Sequence, residues 1–258
     1  MTANDLIILA AGRGTRMKSL TADSPKCLTL LMGRSLLDWQ LDAARRAGFE
    51  SIHIIGGFSA DKLPRELVDF INPRWAETNM AATLFQADEL LAERGGLVAY
   101  SDIVYRPEHL RVLNDDDHEG AILYDADWEA LWRLRNEDYL ADAESFQTRD
   151  GLVTDIGRKG VSAAEIKGQY MGLLKFSPDI WREISAIYKV LPGERRDRID
   201  MTSLLRLLLE KGLKIGAAPV RGGWVEVDTE ADRDIYEKTL REAESLGRRW
   251  SHDWRPER

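Results

Sequence analysis

The chain has 258 residues, 44% of them apolar and 31% charged, with a formal net charge of −8, the balance of a soluble globular protein with one sizeable domain, with or without a lid. That acidic charge argues against wrapping a nucleic-acid backbone, and no apolar run reaches the ~18 residues of a membrane-spanning helix. The single cysteine, Cys27, leaves no internal disulfide and no multi-cysteine metal site; a reducing, cytoplasmic setting is expected, as is the absence of a secretory signal, because MTANDLIILAAG has no basic opening.

The N-terminal part alternates between two periods. DLIILA at 5–10 is a continuous apolar run stopped by glycine, and predicts a buried strand. Residues 35–48 predict a helix, with Leu37, Leu41 and Ala44 on one face and Gly48 as its stop. SIHII at 51–55 predicts a second strand, with His53 a structural residue inside it and Gly56-Gly57 after it. Residues 80–94 predict one helix striped by Leu84, Ala87 and Leu91. LVAY at 97–100 predicts a third strand, ended by Ser101 and Asp102. Such alternation implies a parallel sheet with crossover helices. Ligands bind such sheets beyond the carboxyl ends of the strands, so the Gly12–Gly14 loop, Gly57 and Ser101-Asp102 are expected to share one crevice.

The C-terminal part is less regular. Residues 121–124, 152–156, 172–176 and 224–227 predict strands; 178–190, 201–211 and 231–246 predict helices, the second with Asp200 as its N-cap. An acidic, aromatic stretch, DADWEALWRLRNEDYLADAESF, separates the first two of these strands. Asp115–His118 reads as a solvated turn, and the polar tail at 251–258 is expected to fray.

The stretch LAAGRGTRMKSLTADSPKCL at 9–28 concentrates the chemistry. Gly12 and Gly14 let the backbone approach an anion, and Arg13, Arg16 and Lys18 add positive charge. A plain tight turn is the alternative. Gly14-Thr15-Arg16 is not the Gly-Lys-Ser/Thr ending of a Walker A loop, and Met17 stands where a dinucleotide fingerprint needs a small residue. LAAGRGTRM followed by Pro25-Lys26 resembles the signature of the nucleoside-triphosphate transferase (sugar-nucleotide pyrophosphorylase-like) family. That resemblance implies an α/β fold: a Rossmann-like mixed, mainly parallel sheet flanked by helices, forming a single nucleotidyltransferase domain over 1–250 with a lid insertion at about 125–170. It implies that Leu9, Ala10, Ala11, Gly12, Gly14 and Thr15 hold the nucleotide, and that Arg16 and Lys26 act on the reacting phosphates. Cys27 within the motif reads as a packing residue.

Nucleotidyl transfer calls for a divalent ion, and magnesium prefers one or two carboxylates. Any one aspartate after a strand is more simply a solvated strand end, but the resemblance places metal ligands at Asp102 and Asp228, the latter in an E-x-D-T context. It places the base against Gly57, Asn79 and Met80, with Ser101 also at the nucleotide; Asn79 fits a helix N-cap equally well. TNMAATL and GQYMGLLKFSP, with the W-x-x-x-W-x-x-R pattern at 128–135, resemble the bacterial cytidylyltransferase branch that acts on choline phosphate and 2-aminoethylphosphonate. Trp128 and Trp132 share a helix face, where they either pack in the core or cradle an ammonium by cation–π contact. With Tyr170, Asp200 and Lys159 they are the candidate acceptor residues. Arg133, Arg135, Lys159 and Lys167 could instead meet an acidic acceptor, so the acceptor's charge stays open.

The reading is an enzyme joining CMP from CTP to a small phosphonate or phospho-alcohol with release of pyrophosphate, using Mg²⁺, with no nucleic-acid or membrane partner and the final helix a candidate homodimer contact. The rival readings are a sugar-1-phosphate nucleotidyltransferase using UTP or dTTP, and a non-catalytic nucleotide-binding module.

Overall fold

The computed structural model describes residues 3–256, without the side chains of residues 18–20, so the Lys18 charge lies outside the described residues. Nine strands form the main sheet: β1 (Asp5–Ala10), β2 (Ser51–Gly56), β3 (Val68–Ile71), β4 (Gly96–Tyr100), β5 (Gly120–Asp125), β6 (Phe146–Arg149), β7 (Leu152–Ile156), β8 (Gln169–Phe176) and β9 (Gly216–Val220). Their spatial order is β3-β2-β1-β4-β8-β5-β9-β7-β6. Only β7 and β8 run against the others. The chain moves outward from β1 to β3, then returns to place β4 on the other side of β1. Strand order therefore reverses between β1 and β4, and the crevice above their carboxyl ends is where such a sheet takes a ligand.

The pattern DLIILA sets this centre. Every residue of β1 is buried. Leu6, Ile8 and Ala10 join one apolar cluster and Ile7 and Leu9 the other, so helices cover both sheet faces. The helix Leu36–Ala47 lies on the first face; Ser35 caps its start by accepting from Asp38 N, and Gly48 ends it at φ 98°. Among the described residues no helix is long and apolar enough to cross a membrane.

Three differences from expectation have local causes. Strands β3, β6 and β9 were not expected; VDFI, FQTR and GAAPV are short, and the last combines small residues with proline. The helix expected over 80–94 divides into Met80–Leu84, a tight turn Phe85–Ala87 and Asp88–Arg94. Phe85 stacks on Tyr188 at 3.7 Å, and Asp88 accepts from Trp181 Nε1 and Ser185 Oγ, each at 2.9 Å; tertiary contacts override the local period. Over residues 251–256 the tail does not fray, and residues 257–258 of that expectation lie outside the described residues. His252 and Trp254 are fully buried, His252 Nε2 lies 3.0 Å from Asp125 Oδ2, and Trp254 meets Trp39 edge-on.

Burial also holds the His109 imidazole down to about 3, with Arg106 adding to the effect. The folded ring is neutral while the unfolded ring, near pH 6.5, takes up a proton first. Its contribution is therefore fully present above about pH 6.5 and is lost as pH falls toward 3, at up to about 1.4 kcal/mol per pH unit. In urea unfolding between pH 7 and pH 4, His109→Gln should show a shallower acid slope than the parent chain. Equal slopes would contradict this assignment.

Candidate active site

The loop after β1 and the end of β4 border a cleft of about 380 Å³. Of the residues expected at the nucleotide, Leu9, Ala11, Gly12, Gly14, Thr15, Asn79, Met80 and Ser101 line it, together with Arg16, Lys26 and Asp102. Ala10 and Gly57 are not on its wall. Ala10 is buried at the end of β1. Gly57 lies behind the wall, where an added Cβ would stand 2.7 Å from Ala11 O and 2.8 Å from Trp75 Cβ. Only glycine allows that approach. Phe58 N donates to Ala11 O at 3.0 Å, Phe58 meets Trp75 edge-on at 5.2 Å, and the Arg13 guanidinium lies 5.3 Å from the Phe58 ring centre. Trp75 and Thr78 also line the cleft; Thr78 opens the TNMAATL stretch but was given no role there, and nothing in the sequence singled out Trp75.

Asn79 is the N-cap of Met80–Leu84, its Oδ1 accepting from Met80 N at 2.8 Å. Its Nδ2 donates to Arg198 O. The capping role is occupied, and the residue still borders the cleft.

At the cleft's end the chain gathers charge. The carboxyl end of β4 supplies Asp102, and the strand Trp224–Glu226 with the residues following it supplies Glu226 and Asp228. These three each offer a carboxylate oxygen, and the oxygens lie within 4.8 Å of one another. Glu226 was not predicted, although its i, i+2 spacing to Asp228 in an extended segment puts both on one face. Lys26 Nζ donates to Asp102 Oδ2 at 2.7 Å and Asp228 Oδ1 at 2.6 Å, and Arg16 to Asp228 Oδ2 at 3.1 Å. Burial, reinforced by the Asp228 and Asp102 charges, pushes the Glu226 carboxyl up to about 8. Asp228 stays below the usual carboxylate range despite its burial because Lys26, Arg16 and Arg135 face it. Among the described residues the buried Asp102 Oδ1 has no hydrogen-bond partner. An all-oxygen set with an unused lone pair suits a hard divalent cation such as magnesium. Cys27 is buried, which pushes its thiol up to about 12 and leaves it a packing residue.

The acceptor assignments fare unevenly. Trp128 and Trp132, on the helix Trp128–Arg135, are each only 5% exposed and meet edge-on at 5.9 Å, with Trp132 against Trp224. They are core residues, not an open cage; helical spacing alone could not separate the two roles. Arg135 does not face an acceptor either. It is buried against Asp232, Glu226 and Asp228 at 3.1, 3.4 and 3.6 Å. Tyr170 meets Tyr100, the residue before Ser101, edge-on at 5.7 Å. The neighbouring Gln169 donates to Glu144 O at 2.6 Å. Lys159 Nζ lies 4.0 Å from Glu144 Oε1. Burial raises the Glu144 carboxyl, Lys159 and Arg206 opposing, Asp200 and Asp142 reinforcing. Asp200 caps Met201–Glu210 by accepting from Ser203 N. Lys159 and Asp200 therefore stand around Glu144, whereas Tyr170 stands against Tyr100.

Residues 6–187 match the family described as MobA-like NTP transferase domain. The chain is 32% identical over 246 residues to CTP:phosphoglutamine cytidylyltransferase of Campylobacter jejuni, covering 89% of this chain and 97% of that protein. Among solved structures, the inositol-1-phosphate CTP transferase from T. maritima superposes with a TM-score of 0.73 at 16% identity, over 92% of this chain and 96% of that one. The CTP:phosphocholine cytidylyltransferase from Streptococcus pneumoniae does so with a TM-score of 0.67 at 21% identity, over 93% and 100%. At these identities the structural likeness speaks for the fold.

Proposed function

This chain belongs to the MobA-like NTP transferase domain family, and from that premise we propose that it joins CMP from CTP to the phosphate or phosphonate of a small acceptor, releasing pyrophosphate. The observation that carries the reading is the cleft that runs from the Gly12–Gly14 loop to Lys26 and Asp102, with Glu226 and Asp228 beside them. In this reading an acceptor oxygen attacks the α-phosphorus in line, and the bond to the β-phosphate oxygen breaks. The electrons of that bond leave with pyrophosphate. The acceptor oxygen is already anionic near neutral pH, so the chain needs no general base. Arg16 and Lys26 stabilise the charge that develops on the leaving group. Asp102, Glu226 and Asp228 are the residues that would hold a divalent ion, which would supply electrophilic charge to the reacting phosphates. Arg135 keeps Asp228 and Glu226 in place from behind.

CTP is favoured because a relative that matches nearly end to end is named for it. For the acceptor, the buried state of Trp128 and Trp132 weighs against a quaternary-ammonium cage. Glu144, with Lys159 4.0 Å from it and the Asp200 charge acting on it, instead suits a head group carrying both an amine and an acid, such as a phosphorylated amino acid, with 2-aminoethylphosphonate next. Phosphorus NMR of the chain with CTP, Mg²⁺ and each acceptor tests this. Free pyrophosphate should appear together with two coupled resonances of a new P–O–P anhydride. Faster turnover of phosphocholine than of either amine-and-acid acceptor would overturn the acceptor assignment.

A further inference from the structure

Lys26 occupies the place a metal ion would compete for. Its Nζ bridges Asp102 Oδ2 and Asp228 Oδ1 at 2.7 and 2.6 Å, and its side chain is only 10% exposed. An ammonium hydrogen-bonded to Asp102 Oδ2 and Asp228 Oδ1 competes for those two oxygens with a divalent ion, which needs them at about 2.1 Å, and repels it as a like charge, even though Asp102 Oδ1 keeps an unused lone pair. The ammonium cannot simply withdraw, because a buried, unpaired charge is costly. It needs another anion within reach of its stem.

The stem runs along the phosphate loop. A Cβ on Gly14, whose φ is +69°, would stand 2.8–2.9 Å from Lys26 Cβ, Cγ and Cδ. A flexible four-carbon chain anchored there can turn its terminal torsions and carry the ammonium from the aspartates to an anion held by the loop.

Building on the proposed nucleotidyl transfer, we propose that the Lys26 ammonium is a resident stand-in for the divalent ion. Without nucleotide it holds Asp102 and Asp228 together and keeps free metal out. A triphosphate gives it a second anion to pair with, and the aspartates are released to the metal that arrives with the nucleotide. Metal and nucleotide then bind as a coupled pair, not independently.

The test is Mn²⁺ binding to the full chain followed by water-proton relaxation, a readout that needs no turnover. Without nucleotide, Lys26→Met should bind Mn²⁺ about tenfold or more tightly than the parent chain, while Lys26→Arg, which keeps the charge, should bind as weakly as the parent. With CTP and no acceptor, the parent should give a strong protein-bound Mn²⁺ signal, and CTP alone should not. Equal nucleotide-free affinity in the parent and Lys26→Met, with the CTP-dependent signal present, overturns the stand-in role and leaves the transferase reading intact. Absence of protein-bound Mn²⁺ under every condition overturns both. Circular dichroism checks that Lys26→Met is folded. Should it not fold, the parent decides: Mn²⁺ binding as tight without CTP as with it overturns the proposal.

Discussion

Replacing Asp102 with asparagine is expected to lower kcat/KM for CMP transfer by about 10³-fold, the equivalent of roughly 4 kcal/mol of transition-state stabilisation. The variant keeps the shape of the side chain but loses the charge that Asp102 shares with Glu226 and Asp228. The fold should tolerate the change. Lys26 retains its 2.6 Å pairing to Asp228, and one of the two negative charges that add to burial in raising Glu226 is gone. The melting temperature should therefore move by only a few degrees, on the order of 1 kcal/mol. Steady-state kinetics with a matched thermal melt separates the two effects. Near-parental turnover in a folded variant would remove Asp102 from the reaction.

Replacing Arg135 with methionine should act mainly on stability. Its guanidinium is 4% exposed and stands among Asp232, Glu226 and Asp228. Those charges hold it firmly protonated despite its burial. Removing one member of a buried ionic cluster typically costs about 3–5 kcal/mol, because the remaining charges are left uncompensated. In a chain of this size that is a fall in melting temperature of roughly 10 °C. Asp232 also accepts from Asp228 N at 3.0 Å and Thr229 N at 2.8 Å, so the segment that presents Asp228 should loosen with it. Arg135→Lys, which restores charge without the planar fork, should recover only part of the loss. A methionine variant that melts with the parent chain would contradict this role.

The centre of the fold was legible because each signal was local. DLIILA, the Ser35 cap, Gly48 and the strand-ending Gly56 and Ser101 mark their elements within a few residues. The glycine loop, Lys26, Asp102 and Asp228 were legible through the pattern of spacing they share with a family. Glu226 lay in plain view two residues before Asp228, and period-two geometry sufficed to add it. Arg135 was not legible. Its partner Asp232 is 97 residues away, and nothing at the end of an amphipathic helix says whether an arginine meets solvent, acceptor or buried acid. Trp128 and Trp132 stayed open between core and cage for the same reason: their spacing names a face but not what covers it. The tail was misjudged because polarity counts residues and misses single anchors, here His252 on Asp125 and Trp254 in the core.

Nucleotide-dependent pyrophosphate release tests the central claim most directly. The chain would be assayed with Mg²⁺ and each of CTP, UTP, dTTP and GTP, crossed with a phosphorylated amino acid, 2-aminoethylphosphonate, phosphocholine and glucose-1-phosphate. Acceptor-dependent release with CTP, at least about tenfold faster than with the other three nucleotides, is the predicted result. Release confined to UTP or dTTP with glucose-1-phosphate would contradict the assignment of both nucleotide and acceptor.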